Sequence, residues 1–160
     1  DIRFIYVHTL KWYLSIEDKK DVIEYPISDS LDISGWDIKK ALKLFKASNS
    51  PLYEWLNSPI VYLDRGNFAN KLKGLMPKFY SPVSCLHHYL NMAKGNYKTY
   101  LTGQKVKLKK YFYVLRPIFA CMWIELYKTI PPMEFEKIFR VQILDTKLTR
   151  EIKKLLESKK

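Results

Sequence analysis

Glycine is scarce in this chain, five residues in 160, and no phosphate-cradling glycine loop or glycine-rich dinucleotide fingerprint can be built from them. That removes P-loop and dinucleotide-dependent enzymes from consideration. Cysteine is scarcer. Cys85 and Cys121 stand far apart in apolar surroundings, which fits neither a disulfide framework nor a paired-thiolate zinc motif. They read as buried free thiols in a reducing compartment. No long hydrophobic run exists either: the run that includes Pro117 to Trp123 falls far short of the roughly 20 residues a membrane helix needs. No signal-peptide pattern opens the chain, so the expectation is a soluble, cytoplasmic protein without a membrane partner. There is no Ser-His-Asp arrangement, no internal repeat and no low-complexity segment. Acidic residues are outnumbered, 16 against 28 Lys and Arg, for a formal net charge of +12. A positive field of that size attracts phosphates, nucleic acid or an acidic surface without choosing among them.

What the chain does have is apolar and aromatic mass. The hydrophobic fraction is 48% and the aromatic fraction 15%, with 12 tyrosines, which places it among globular sequences. A chain of this length buries roughly 68 to 70% of its unfolded surface. That suffices for one domain, or for a small domain with a remnant of another. Core packing accounts for most of the aromatics before base stacking need be invoked.

The hydrophobic period changes along the chain. Asp1 to Val7 alternates, with Ile2, Phe4 and Tyr6 on one face, and reads as a strand with two largely apolar faces. Thr9 to Ile16 reads as a short helix, Glu17 to Asp21 as a charged turn, and Val22 to Ile27 and Leu31 to Ile33 as two more strands separated by Ser28, Asp29 and Ser30. From Ser34 the period becomes helical. Ile38, Ala41, Leu42 and Phe45 share a face, with Ser34 and Asp37 as a variant capping box. Ser50 and Pro51 start a short helix through Leu56. A helix at Phe68 to Leu75 is expected to stop before Pro77. Ser81 and Pro82 open a long one, with Leu86, Tyr89, Leu90, Ala93, Tyr97 and Leu101 inward and Gly103 beyond its end. The next, Val106 to Tyr127, turns Leu108, Tyr111, Leu115, Ile118, Phe119, Met122 and Trp123 inward and carries Pro117, which should kink it. Further helices are expected at Glu134 to Ile143 and after Asp145 or Thr146, ending in a lysine tail. The fold class is therefore α+β, predominantly helical, divided into strands at 1–33 and a helical bundle at 34–160.

Few groups are placed for chemistry. Asp1 begins one strand and Asp32 lies on a later one, an arrangement that could supply oxygen ligands to magnesium, although an aspartate at a strand end is commonly a turn residue or cap. Arg3 shares a strand face with Asp1 and could orient a carboxylate, touch a phosphate or form a plain salt bridge. Lys109 and Arg116 are two helical turns apart and share a face that could meet a triphosphate, or simply face solvent. Lys105, Lys107, Lys109 and Lys110 crowd a helix start, where the helix dipole disfavours cations and a bound anion would offset the conflict. Asn49 and Glu54 flank a helix junction as outside candidates. Cys85, His87 and His88 do not make a metal site, because adjacent helical histidines diverge by about 100°. His8 reads as a turn residue.

The stretches Asp1-Ile2-Arg3-Phe4-Ile5-Tyr6-Val7, Leu31-Asp32-Ile33-Ser34-Gly35-Trp36-Asp37-Ile38, Asn49-Ser50-Pro51 with Glu54-Trp55-Leu56 and Ser58-Pro59, and Lys109-Lys110-Tyr111-Phe112-Tyr113-Val114-Leu115-Arg116-Pro117 resemble the RNA repair pathway DNA polymerase β-like nucleotidyltransferases. The likeness runs over nearly the whole chain. It implies a fold in which a Gly-Ser turn, an Asp-x-Asp pair on one strand and a third Asp on a later strand hold Mg2+. Asp1 would match the second Asp of the pair and Asp32 the third, as catalytic and metal-binding residues. Arg3, Lys109 and Arg116 would be substrate-binding, residues 1–33 the end of the nucleotidyltransferase core and 34–160 a helical substrate-binding domain. The Gly-Ser turn and the first Asp would precede Asp1, so the expectation is that this stretch alone is not competent. The implied partners are a nucleoside triphosphate and, by analogy, an RNA end as acceptor. The rival reading is a non-catalytic basic helical module that grips RNA or a protein, and a weaker third is a nucleotidyltransferase of antitoxin type acting on a protein.

Overall fold

A three-stranded sheet opens the chain. β1 (Ile2–Tyr6) lies parallel to β3 (Leu31–Asp37), with Ile2 beside Ile33 and Tyr6 beside Asp37. β2 (Val22–Ser28) runs antiparallel along the other side of β3, Val22 beside Trp36. Its register slips between Pro26 and Ser28, where a residue without an N–H cannot donate to the ladder. The parallel pairing requires a crossover, which passes through α1 (Leu10–Leu14) and β2. The computed structural model describes residues 1–28, 31–140 and 145–158. The expected turn at Asp29 and Ser30, the helix end at residues 141–144 and the tail at Lys159 and Lys160 lie outside them. The class is α+β with helix predominating.

β3 runs four residues further than its hydrophobic alternation suggests. Gly35 sits within it because the Phe4 ring fills the space a side chain would take: an added Cβ would lie within 2.8 Å of three Phe4 ring atoms. Trp36 stacks on Trp55 with centroids 3.9 Å apart. The capping box assigned to Ser34 and Asp37 is accordingly corrected. Ser34 belongs to the strand, and Asp37 alone caps α2 (Ile38–Lys46), its Oδ1 accepting from the Lys39 N–H at 2.8 Å.

Two compact units form. The first comprises 1–56 and 67–80, so α2, α3 (Ser50–Leu56) and α4 (Phe68–Phe79) belong with the sheet. Ala41, Phe45, Leu52, Tyr53, Leu56, Leu72 and Met76 are buried, and the Tyr53 hydroxyl donates to the Phe45 carbonyl at 2.9 Å. Asn49, rather than Ser50, caps α3, its Oδ1 accepting from Leu52 N at 3.1 Å. Helix α4 continues through Pro77. Pro77 is exposed, so water can replace the helical bond its missing N–H costs.

The second unit comprises 57–66 and the described residues from Ser81 onward. Ser81 caps α5 (Pro82–Tyr100), accepting from Ser84 N at 3.2 Å. The helix α6 (Leu108–Tyr127) folds back along it: Asn96 meets Tyr113, Tyr100 meets Lys110 and Leu86 meets Cys121, an antiparallel order. The stripe of α5 that is buried is Cys85, Tyr89 and Ala93, while Leu90 and Tyr97 are exposed. On α6 the buried residues include Phe112, Val114, Phe119, Ala120 and Ile124, and Tyr111 and Ile118 are exposed. Phe119, Ile138 of α7 (Phe135–Arg140) and Ile152 of α8 (Thr146–Glu157) form a shared cluster with Phe139. Asp145 caps α8, one carboxylate oxygen accepting from both Lys147 N and Leu148 N.

Candidate functional site

The parallel register of β1 and β3 decides where the two candidate carboxylates go. Ile2 pairs with Ile33, so one step earlier Asp1 and Asp32 fall side by side at the start of neighbouring strands. Arg3 binds both. Its Nη2 lies 2.5 Å from Asp32 Oδ2 and 3.6 Å from Asp1 Oδ2, while Nη1 donates to the carbonyls of Ile2 at 3.1 Å and Asp32 at 3.2 Å. Asp1 and Asp32, from separate strands, thus converge on one guanidinium. The carboxylates are open to water, 68% and 55% exposed for Asp1 and Asp32, against 25% for Arg3. An ion pair so exposed contributes about 0.2–1 kcal/mol to stability, too little to be the reason for placing three charges together.

Hard oxygen donors with solvent access are what magnesium takes, since it keeps several waters and uses one or two carboxylates. Asp1 and Asp32 fit that demand as part of a ligand set. Arg3 stands where such a cation would compete for the same oxygens.

At the opposite end of β3 lies a second polar group. Asp37 is buried, 1% exposed, and its Oδ2 accepts from the Tyr13 hydroxyl at 2.5 Å. That hydroxyl accepts in turn from the His8 N–H at 3.1 Å. Burial pushes the Tyr13 hydroxyl above its ordinary range, and the hydrogen bond to Asp37 adds to the shift. Tyr6 is raised for the same first reason, with the charge of Asp37 next. His8 stacks on Trp12 at 4.0 Å. This end of the sheet is a capped, aromatic-lined junction whose buried charge is satisfied. The sequence marked Asp37 as a cap, but nothing in the spacing pointed to a tyrosine 24 residues away.

Lys109 and Arg116 lie on α6 in the second unit, two turns apart on one face as expected. Between them on that stripe is Tyr113, whose ring lies 5.7 Å from Lys109 Nζ. Lys110, part of the basic run expected at the helix start, is held between rings, 3.7 Å from the Tyr100 centroid and 4.5 Å from that of Tyr113. Of the outside candidates, Asn49 is a helix cap and Glu54 lies on α3. Cys85 is buried and Cys121 partly so, and neither is in a disulfide. Burial, then the nearby Glu125 charge, raises the Cys121 thiol above its usual range.

The family model described as RNA repair pathway DNA polymerase beta family matches residues 1–160. An uncharacterized protein of Bacillus subtilis (strain 168), YcgL, is 52% identical over 160 residues, covering 100% of this chain and 62% of the relative. The chain therefore spans less than two thirds of that relative's length. No solved structure matches. No helix among the described residues is long and apolar enough to cross a membrane.

Proposed function

The chain belongs to the RNA repair pathway DNA polymerase beta family, and from that premise we propose that the whole protein transfers a nucleoside monophosphate from a nucleoside triphosphate to an acceptor. The observation that carries this reading is the convergence of Asp1 and Asp32, from separate strands, on Arg3. Phosphoryl chemistry of this kind depends on positioning and charge neutralisation more than on covalent catalysis. Asp1 and Asp32 would hold Mg2+, which when bound supplies charge neutralisation at the phosphates and alignment of the reacting oxygens. A further carboxylate, outside the 160 residues, would complete the ligand set on the family's pattern. Arg3, released from the carboxylates, would be free to contact a phosphate. Within the second unit, Lys109 and Arg116 are two cations on one helical face, a pair suited to phosphate groups. An RNA end is the acceptor this reading favours, given the net charge of +12 and the family to which the chain belongs.

A transfer assay with labelled nucleoside triphosphates and RNA acceptors, run on the full-length protein, tests this. Asp32→Asn should retain the fold by circular dichroism and lose about 100-fold or more of the transfer rate, because even residues behind metal ligands are worth 10 to 100-fold. Wild-type rates in the variant would remove Asp32 from the chemistry and the reading with it.

A further inference from the structure

From Arg65 to Ile124 the chain contains no aspartate and no glutamate, yet it carries nine lysines and two arginines. Seven of those cations lie on the α5–α6 hairpin or its connection: Lys94, Lys98, Lys105, Lys107, Lys109, Lys110 and Arg116. The first five are exposed, and among the described residues none of those five pairs with a carboxylate. The arrangement is also costly where it stands. Lys107 is the N-cap of α6, Lys109 and Lys110 fall in its first turn, and no acidic residue accompanies them, so like charges crowd the positive end of a helix. A solvated face has no need of this, since glutamates in that turn would relieve it.

Aromatic rings are interleaved with the cations. Tyr97 is 54% exposed, Tyr111 38% and Tyr113 36%. Lys110 lies between the rings of Tyr100 and Tyr113. Asn96 and Tyr100 tie the end of α5 to α6 through Tyr113.

We infer that the tip of the α5–α6 hairpin is a docking surface for single-stranded nucleic acid, with Lys98, Lys105 and Lys107 on the phosphates and Tyr97 stacking against a base. Charge tracking the backbone and rings meeting base faces is how single strands are gripped without sequence readout. A duplex keeps its base faces stacked inside, leaving the tyrosines without use. A lipid surface would want apolar residues at the tip, and that position is occupied by Thr102, Gly103 and Gln104, all exposed and none of them a large apolar side chain. The inference does not rest on the metal-site reading, because binding is measured without nucleotide or divalent cation.

The test is fluorescence anisotropy on the full-length protein with labelled oligo(U), oligo(dT) and a duplex, each of about twelve nucleotides, over a salt series. The expected result is binding to the single strands in preference to the duplex, the oligo(U) and oligo(dT) arms showing which sugar is favoured. The double variant Lys105→Glu, Lys107→Glu should weaken single-strand binding tenfold or more and reduce the log–log salt slope by about 1.4, two contacts at roughly 0.7 each. Tyr97→Ala should weaken it about 5- to 150-fold with the slope unchanged. All three positions are exposed, and circular dichroism with thermal melting confirms that the variants fold. Absent single-strand binding, equal affinity for the duplex, an unaltered double variant or an unaltered Tyr97→Ala would each overturn the assignment. The last would leave a general polyanion surface. Loss of binding to anionic vesicles or an acidic polypeptide in parallel with RNA in the double variant, with Tyr97→Ala inert, would point the same way.

Discussion

The Asn96 side chain donates to the main-chain carbonyl of Tyr113 at 2.9 Å, the very oxygen that Pro117 deprives of its helical donor. In an α-helix residue 117 would bond back to residue 113, and a proline there has no N–H to give. Asn96, on the facing helix, supplies the missing donor. This explains how a buried proline is carried in the middle of α6.

Asn96→Ala should therefore destabilise the protein by about 1 kcal/mol. In a Pro117→Ala background the restored N–H takes up the Tyr113 carbonyl, and the cost of Asn96→Ala should fall towards zero. Urea unfolding of the four proteins gives a coupling of about 0.5–1 kcal/mol; strictly additive costs would show that the two residues act separately.

Tyr13→Phe should cost about 1–3 kcal/mol at neutral pH, because Asp37 is left with a buried carboxylate oxygen short of one donor. The Tyr13 hydroxyl is raised above its ordinary 10.0, chiefly by burial and then by Asp37, so the folded protein holds the neutral phenol more tightly than the unfolded chain does. That contribution is intact below about pH 10 and is lost as pH rises through the higher folded value. The stability gap between wild type and Tyr13→Phe should narrow as pH is raised past 10, read from denaturant midpoints. A gap that is constant with pH would contradict the hydrogen-bond assignment.

At Gly35 a side chain has no room, because the Phe4 ring lies over the backbone. Gly35→Ala should destabilise by about 1–3 kcal/mol, the range for overpacking. Shortening the ring with Phe4→Leu should make the same substitution much less costly, whereas an equal cost in both backgrounds would place the conflict elsewhere.

On the proposed reading, Arg3 and a divalent cation would contend for the same carboxylate oxygens. Arg3→Met in the full-length protein should tighten Mg2+ or Mn2+ binding about two- to fivefold, the equivalent of releasing an exposed ion pair. Titration calorimetry reads this without any turnover, and unchanged or weaker binding would mean that Asp1 and Asp32 do not hold the ion.

The elements were legible where one local signal decided them. Ser81 with Pro82 marked the start of α5, Asp145 marked that of α8, and the alternation from Ile2 gave β1. The sequence misplaced faces where local signals ran out. On α5 Tyr89 and Ala93 are buried as the stripe implied, but Leu90 and Tyr97 of the same stripe are exposed and Cys85 is buried in their stead. α6 is apolar almost all round, so its periodicity could not choose a side. β3 was cut short at Ile33 because the period turns helical from Ser34 and Ser34 with Asp37 resembles a capping box, and only the Phe4 ring on a neighbouring strand explains Gly35. Asp1, Arg3 and Asp32 could be proposed as a group from family likeness, yet their convergence depends on parallel pairing that no local pattern encodes. Asn96 was invisible for the same reason, since its partner is 17 residues away.

β3 has a neighbour on each side, while β1 has one. Among the described residues no strand lies along the outward side of Ile2–Tyr6, which leaves a row of amides and carbonyls on an edge that any extended backbone can zip onto. A longer polypeptide can shield that edge by adding a fourth strand. For these 160 residues by themselves, the same edge is a self-association hazard, and the molecule should show aggregation that grows with concentration and is relieved by a competing β-forming peptide.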